Sequence, residues 1–535
     1  MAKKLTDGLT YDYLSAEAAP TREDRIETCF AYGGSGENLK CGIGNGCAKF
    51  NSRKFAQGGG CQLNLALGIV STFQNVAVIL HGSLGCGSSH LSRAGLKKSS
   101  GAQRGKPNTF DTAWIETNLD EKDVISGGAE KLREAILYAE TEYRPDAIIV
   151  VNGCVPGIIG DDIDSVINEL DGYLAAKIVP VHCEGFKSKF VASGYDSAYH
   201  GLLKKLVDPV GRINRAIPDD IADAKEKYIN SKTVNLLNVG SNSYGDEVEL
   251  SRLLTALGLN VRVLPLFASI DEISRINEAA LNISICATHD DYLIGHLKER
   301  FGTEYMIDTL PIGIKNTNRW LREIAKLLNL ENEVEKLIEL ENTQLNEALA
   351  PLKKELQGKT LFVGGGETRS FTTGEFFQSL GMKIVGVKSH NFDIFALPMI
   401  DDIDQQDFVI SVAPGQPAEE VNLLHRFKPD LYIGHTNANV WVAKLGVPTM
   451  PLFGQSFNYM GYSGAYELAR KAARVLKNTA LYKKLAVNVP LPLRPEWYAS
   501  DPFDNIKDLN QEAVSPGQEN PASDAKNRIG KVSHA

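Results

Sequence analysis

Continuous apolar runs that end at a cysteine constrain this chain more than any other feature. Val76-Ala77-Val78-Ile79-Leu80 leads into His81-Gly82-Ser83-Leu84-Gly85-Cys86, and Ala147–Val151 leads into Asn152-Gly153-Cys154. Ile178–Val181 runs into His182-Cys183, and Ile283–Ile285, interrupted by Ser284, reads as a further strand closed by Cys286. Short apolar runs without alternation fit strands buried on both faces, as in parallel sheets. In such sheets ligands sit beyond the carboxyl ends of the strands, where Cys86, Cys154, Cys183 and Cys286 fall.

Helical segments separate the runs. Asp120–Glu140 carries Leu132, Ala135, Ile136 and Ala139 on one face, and Asp161–Leu170 opens with acids that suit a helix N-terminus. Alternating strands and helices imply βαβ units. The pattern restarts at Thr233–Val239 after a charged helix over Ala222–Tyr228, continues through Val261–Leu264 and Ile283–Ile285, and reaches a helix over Asp290–Phe301. A long helix over Leu327–Leu356 then leads to a third set, beginning at Leu361-Phe362-Val363-Gly364-Gly365-Gly366 and continuing through Ile384–Val387, Phe408–Val412, Leu431–Ile433 and Val447–Met450.

The expected fold is therefore α/β, with three domains that are each a parallel sheet flanked by helices. The expected divisions are an N-terminal extension over 1–60, domains over 61–230, 231–345 and 346–488, and a tail over 489–535. The extension, polar and glycine-rich, reads as loop. The tail, rich in Pro, Asn, Asp and Ser, reads as extended or disordered.

The chain has eight cysteines in 535 residues, no CxxC pair and no apolar signal core at its N-terminus. A disulfide framework and a standard zinc knuckle are both disfavoured. Buried structural thiols or metal ligands remain. A formal net charge of −9 argues against a general nucleic-acid binder, and no apolar run is long enough to span a bilayer. A soluble cytoplasmic protein is expected.

Cys61 follows Gly58-Gly59-Gly60 and Cys86 lies among glycines, where backbone can approach a bulky inorganic group. Thiolates are soft ligands suited to iron–sulfur clusters. Cys61, Cys86 and Cys154, far apart in sequence and each at an element's end, fit a cluster wedged between domains or subunits. Common clusters take four cysteines, so the fourth ligand comes from this chain, with Cys29, Cys41 and Cys47 as candidates, or from another subunit. Cys286 stands apart, as a core cysteine or as the single thiolate on a second cluster, with His289 three residues on. Gly365, Gly366 and Arg369 lie in Gly364-Gly365-Gly366-Glu367-Thr368-Arg369, whose amides and guanidinium suit an anionic ligand such as a sulfide-rich cluster. His435 ends another strand and is a further candidate ligand. There is no GxxxxGK[ST] phosphate loop, so ATP hydrolysis by the chain itself is not expected.

These blocks resemble the nitrogenase component-1 superfamily, specifically its α-type (D-like) chains. Gly60-Cys61, His81–Cys86 and Ser92-Arg93-Ala94-Gly95 look like the first two cluster-ligand segments, and Cys154-Val155-Pro156-Gly157-Ile158-Ile159-Gly160-Asp161-Asp162-Ile163 looks like the third. Val179–Phe186, with Cys183-Glu184-Gly185-Phe186, resembles the α-type block, and Asn282–Cys286 sits where the family's cofactor cysteine lies. The similarity runs from about Cys61 to Val475.

The resemblance implies a P-cluster-like [8Fe-7S] cluster on Cys61, Cys86 and Cys154, shared with a β-type (K-like) subunit in an α2β2 heterotetramer. It implies a second, large iron–sulfur cofactor of the [8Fe-9S-C] type on Cys286, with Arg93, Gly365, Gly366, Arg369 and His435 as cofactor-binding residues. It also implies a small-molecule substrate and a separate ATP-dependent homodimeric iron–sulfur reductase, the iron protein, as electron donor.

The departures from the family bear on activity. The family's glutamine and histidine beside the cofactor fall at Val191 and Tyr195, and Pro451-Leu452-Phe453-Gly454-Gln455-Ser456 holds no histidine where the distal ligand is expected. Dinitrogen is therefore disfavoured as the main substrate. The chain looks most like methylthio-alkane reductases, which cleave C–S bonds to give methanethiol and a hydrocarbon. Tyr195 would then donate a proton or hydrogen bond, Val191 would widen an apolar pocket, and His289 would stand beside the reacting centre. A non-catalytic scaffold for nitrogenase cofactor assembly is the alternative, since its α-type chain shares the Cys-Val-Pro block and lacks the distal histidine. Dinitrogen- or tetrapyrrole-reducing homologues are further alternatives.

Overall fold

The computed structural model describes residues 12–44, 51–58, 60–87, 100–105, 112–207, 230–239, 243–404, 407–434, 436–452, 458–491 and 493–508. Arg93, His435, Cys47 and the charged helix expected over Ala222–Tyr228 lie outside them. The chain divides into two compact units. One comprises Met1–Arg25, Gly60–Asp308 and Glu323–Leu330, and the other Ile26–Gly59, Thr309–Arg322 and Glu331–Ala535.

The first unit holds two four-stranded sheets. One has the order Ala113–Glu116, Val76–His81, Ala147–Asn152, Lys177–His182, all parallel. Its two middle strands are buried along their whole length. Ala77, Ile79, Ile148, Val150 and Ile178 pack against Leu132, Ile136 and Ala139 of the helix Ala129–Tyr143 and against Ile163, Val166 and Ile167 of the helix Ile163–Leu170. Burying each large apolar side chain of this set contributes about 1.5–3 kcal/mol. The edge strand Ala113–Glu116 carries only the three apolar residues Ala113-Trp114-Ile115, of which Ala113 alone is buried, a run too short to stand out in the sequence pattern.

The helix expected over Asp120–Glu140 is two helices. Asp120 caps Glu121–Ser126 with a capping box, and the chain then turns at Gly127, with φ +90°, before Ala129–Tyr143. Only glycine adopts that backbone without strain. The carboxylate of Asp161 accepts the freed Gly128 N–H, with oxygens at 2.9 and 3.0 Å.

The second sheet has the order Glu304–Met306, Leu281–Ser284, Thr233–Leu237, Asn260–Leu264, again all parallel. Asn235 and Asn282 lie side by side in its centre, Asn235 Nδ2 donating to Asn282 Oδ1 at 2.7 Å. The helix Ala287–Phe301 follows the Leu281–Ser284 strand.

The second unit is built on a six-stranded sheet of order Thr449–Pro451, Leu431–Gly434, Thr360–Gly365, Lys383–Ser389, Val409–Val412, Tyr32–Gly34. Its first five strands are parallel, and Tyr32–Gly34 pairs antiparallel at the edge. The long helix expected over Leu327–Leu356 is also divided. Gly313–Leu328 ends at Asn329, with φ +55°, and Glu331–Leu356 follows.

The described parts of both terminal segments contain regular structure that their composition does not suggest. Residues 1–60, expected as loop, supply the edge strand Tyr32–Gly34, the helix Gly36–Gly44 and the pair Thr28–Cys29 with Phe392–Asp393. From the tail expected to be extended, Ile506–Asp508 pairs with Asn51–Arg53, and Asn422 Nδ2 donates to the carbonyls of Trp497 and Ser500. Pairing partners far along the chain order these segments, and local pattern cannot register them. Among the described residues, no helix is long and apolar enough to cross a membrane.

Candidate functional site

Cys61, Cys86 and Cys154 come together at the carboxyl end of the first sheet. Cys61 is the N-cap of the helix Gln62–Val70 and Cys154 opens the helix Cys154–Ile159, while Cys86 lies in the turn after Val76–His81. Helix N-termini present backbone N–H groups and a partial positive charge, which favours thiolate. The N–H of Gly185 donates to Cys154 Sγ at 3.1 Å. A Cβ on Gly185 would lie 2.5 Å from Cys61 Sγ and 3.3 Å from Cys154 Sγ. The missing side chain thus makes room for two sulfurs.

The three thiols act on one another. Cys86 is exposed, yet partial desolvation pushes its thiol up, and Cys154, Cys61 and Glu116 push it further. Burial also raises Cys61, opposed by the N–H of Leu63 and reinforced by Cys154. Three anionic sulfurs this close repel unless a cationic group lies between them. Among the described residues no group of three or more His, Cys, Asp or Glu side chains is tight enough to hold a metal ion. Thiol donors around a glycine cradle are of the soft kind that suits iron–sulfur clusters. Among the described residues no disulfide forms.

The other cysteines differ in their burial. Cys183 is fully buried, and that burial, reinforced by Cys61, Glu184 and Cys154, raises its thiol well above the usual range, against a hydrogen bond with Ser197. Cys29 is buried and pushed up to about 12 by desolvation, and Cys41 sits exposed on the helix Gly36–Gly44.

Residues that sequence reading did not single out hold the cradle in place. Gln62 Nε2 donates to the carbonyl of Glu184 at 2.6 Å, and Asn152 Nδ2 donates to its carboxylate at 3.0 Å. Gln62 follows Cys61, and Asn152 ends the strand before Cys154. The Cys183-Glu184-Gly185-Phe186 block was the available signal, with Glu184 carrying its geometric role. Leu84, Ile158 and Phe186, neighbours in sequence of Cys86, Cys154 and Gly185, are 74, 71 and 54 % exposed.

Cys286 is the N-cap of the 15-residue helix Ala287–Phe301 and is buried. Its N–H donates to Ser284 Oγ at 3.0 Å, and Ser284 Oγ donates to Asp290 at 2.7 Å. Asn238 Nδ2 also donates to Asp290. Burial nevertheless pushes that carboxyl up to about 7, outweighing both donors. The His289 N–H donates to the carbonyl of Cys286 at 2.9 Å. The rings of His289 and Tyr195 stack, with centroids 4.4 Å apart and planes 20° from parallel. The structure thus brings Tyr195 beside His289, one helical turn from Cys286. Val191 lies near Gly60, where an added Cβ would be 2.5 Å from its Cγ1.

In the second unit Gly365 ends the strand Thr360–Gly365, and Gly366 is the N-cap of the helix Glu367–Ser379, with no side chain capping it. A Cβ on Gly366 would meet nothing within 4 Å. Arg369 is in the first turn of that helix.

A sequence model of the family described as nitrogenase component 1 type oxidoreductase matches residues 61–477. The chain is similar to the nitrogenase iron-molybdenum cofactor biosynthesis protein NifE of Rippkaea orientalis, 29% identical over 425 residues that cover 77% of this chain and 84% of that protein. It is also similar to the nitrogenase molybdenum-iron protein alpha chain of Methanosarcina barkeri, 28% identical over 331 residues that cover 61% of this chain and 59% of that one. Its fold matches a solved structure of nitrogenase Cp1 at pH 5 with TM-score 0.66 and 20% identity, over 83% of this chain and 92% of that one. The α/β fold of parallel sheets flanked by helices is thus shared.

Proposed function

The chain belongs to the nitrogenase component 1 type oxidoreductase family, and within it we propose that this is the α-type chain of a cytoplasmic scaffold on which a nitrogenase cofactor is assembled. The carrying observation is the similarity to NifE, which spans 77% of this chain and 84% of that protein. Proteins of this family bind iron–sulfur clusters, form heterotetramers with β-type partners and work with an iron protein.

In this reading Cys61, Cys86 and Cys154 hold an [8Fe-7S]-type cluster shared with a β-type subunit in an α2β2 heterotetramer. The exposed Leu84, Ile158 and Phe186 beside them support a covering partner. Such a cluster supplies one-electron relay from the ATP-dependent homodimeric iron protein. Cys286 is the single thiolate on the larger [8Fe-9S-C]-type cofactor. Gly365, Gly366 and Arg369 offer amide dipoles and a positive charge suited to an anionic cluster, and Arg93 and His435 are further candidate cofactor-binding residues. One thiolate anchor, with Val191 and Pro451–Gln455 at the family's other contact positions, suits a cofactor that must leave.

The stacked Tyr195 and His289 favour a second reading, C–S cleavage of small methylthio-alkanes. Tyr195 would hold a proton at its phenol oxygen for the departing thiolate, His289 would orient the ring, and Val191 would leave apolar space for a thioether. One experiment separates the two. The purified complex is given its iron protein, ATP and a thioether, and separately an apo-nitrogenase. A scaffold activates the apo-enzyme once per cofactor and releases no sustained methanethiol. Many turnovers of methanethiol, with no activation, would establish the reductase instead.

A further inference from the structure

We propose that Arg25, assisted by Glu23 and Arg22, is a positioning residue for the Tyr195–His289 pair and for the Ser188–Ser193 loop that carries Val191. The inference rests on the reading of Cys286 as a cofactor ligand, with these residues around it.

The geometry is that of a clamp between two helices. The Arg25 guanidinium donates to Asp196 at 2.5 Å through one nitrogen and to Asp291 at 3.1 Å through another. Asp196 directly follows Tyr195 on the helix Ser193–Lys205, and Asp291 comes two residues after His289 on the helix Ala287–Phe301. One side chain therefore ties the two helices at the neighbours of the stacked rings. Its guanidinium carbon also lies 5.0 Å from the centroid of Tyr292. Arg22 bonds Asp291 as well, its backbone N–H donates to Ser193 Oγ at 3.0 Å, and its guanidinium lies 5.9 Å from the Phe190 ring. Glu23 accepts from Ser188 Oγ at 2.8 Å and from the Lys189 N–H at 2.8 Å. The loop holding Val191 is thus pinned from the same short helix, Arg22–Arg25.

The four charged side chains Arg22, Arg25, Asp196 and Asp291 are between 0 and 3 % exposed. Two positive and two negative charges balance. Buried ion pairs of this kind are weak contributors to net stability, and their best-attested use is to fix one arrangement. A planar guanidinium can serve two carboxylates at once, whereas the compact ammonium of lysine is a point charge without that fork. Arg25→Lys therefore keeps the charge and removes the bridge. Glu23→Ala releases the loop and leaves the bridge intact.

Hydrogen exchange followed by mass spectrometry on the purified complex, with and without its metal, tests this. In Arg25→Lys, peptides covering 193–200 and 286–293 should exchange about tenfold faster, while the strands Val76–His81 and Thr233–Leu237 stay as in the wild type. The EPR spectrum of the Cys286 cluster should shift and that of the three-thiol cluster should not. In Glu23→Ala, faster exchange should be confined to peptides over 188–193. Unchanged exchange at these sites, or an equal rise across the whole unit, would overturn the proposal. Where Arg25→Lys does not assemble, Glu23→Ala decides: wild-type exchange over 188–193 overturns it. Exchange in the metal-free complex keeps this result separate from the ligand reading, which fails if Cys286→Ala retains the second cluster.

Discussion

Gly185 stands between two thiols: its N–H donates to Cys154 Sγ at 3.1 Å, and a side chain on it would press 2.5 Å from Cys61 Sγ. A glycine here both supplies a hydrogen bond to a sulfur and leaves space for its neighbour. That pairing makes the three-cysteine group a candidate cluster site rather than a chance meeting of thiols.

Gly185→Ala is the direct probe of that space. Its added methyl group should displace Cys61 and cost about 1–3 kcal/mol, as overpacking does. The iron held by the three-thiol site should fall by more than half while the Cys286 cluster is retained. Iron content and EPR of the purified complex measure both.

Cys183 offers the contrasting substitution. It is buried at the same end of the sheet, yet its thiol is strongly raised by desolvation and Ser197 hydrogen-bonds it. Cys183→Ala should cost about 1 kcal/mol and leave the iron content unchanged. Cys61→Ala and Cys154→Ala should abolish the shared cluster. Equal iron loss in all three would make Cys183 a ligand.

Phe186 and Leu84 test the covering partner. Both are exposed beside the thiols. Phe186→Asp should weaken association with the β-type chain by about 2 kcal/mol or more, the scale of an interface hot spot. Sedimentation analysis of the purified complex would show free α-type chain. An unchanged heterotetramer would place the partner elsewhere.

His200 makes the first unit sensitive to acid. It is buried, its Nε2 lies 3.0 Å from the Ala16 carbonyl oxygen and its Nδ1 lies 2.8 Å from the Tyr292 hydroxyl. Desolvation lowers its pKa to about 4. The folded state therefore holds the ring neutral where the unfolded chain, with a pKa near 6.5, takes up a proton. The stability is present above about pH 6.5 and is lost as the pH falls towards 4, by about 3 kcal/mol at most. His200→Gln should flatten the fall of melting temperature over that range. An unaltered profile would assign the acid sensitivity to other groups, among them His296, whose pKa desolvation lowers to about 3.

The strands were legible because parallel sheet needs continuous apolar runs, and Val76–Leu80 and Ala147–Val151 are such runs. The positions of Cys86, Cys154 and Cys286 at strand ends followed from that topology. What was not legible depends on contacts across long separations. Tyr32–Gly34 becomes a strand only by pairing with Val409–Val412. Arg25 becomes a clamp only because two helices bring Asp196 and Asp291 to it. The break at Gly127-Gly128 stands in the sequence as a glycine pair, and the face of Leu132, Ile136 and Ala139 lies wholly after it, in the helix Ala129–Tyr143. The ring of His289 gained its significance from Tyr195, a residue of another helix, and no spacing rule joins the two.

Anomalous scattering at the iron edge from crystals of the complex, purified with its cofactor in place, addresses the assignment of two clusters most directly. The expected result is one iron cluster bounded by Cys61, Cys86 and Cys154 and shared with the partner chain, and a second, larger one bonded to Cys286 Sγ. A crystal with iron at the three thiols and none at Cys286 would contradict it.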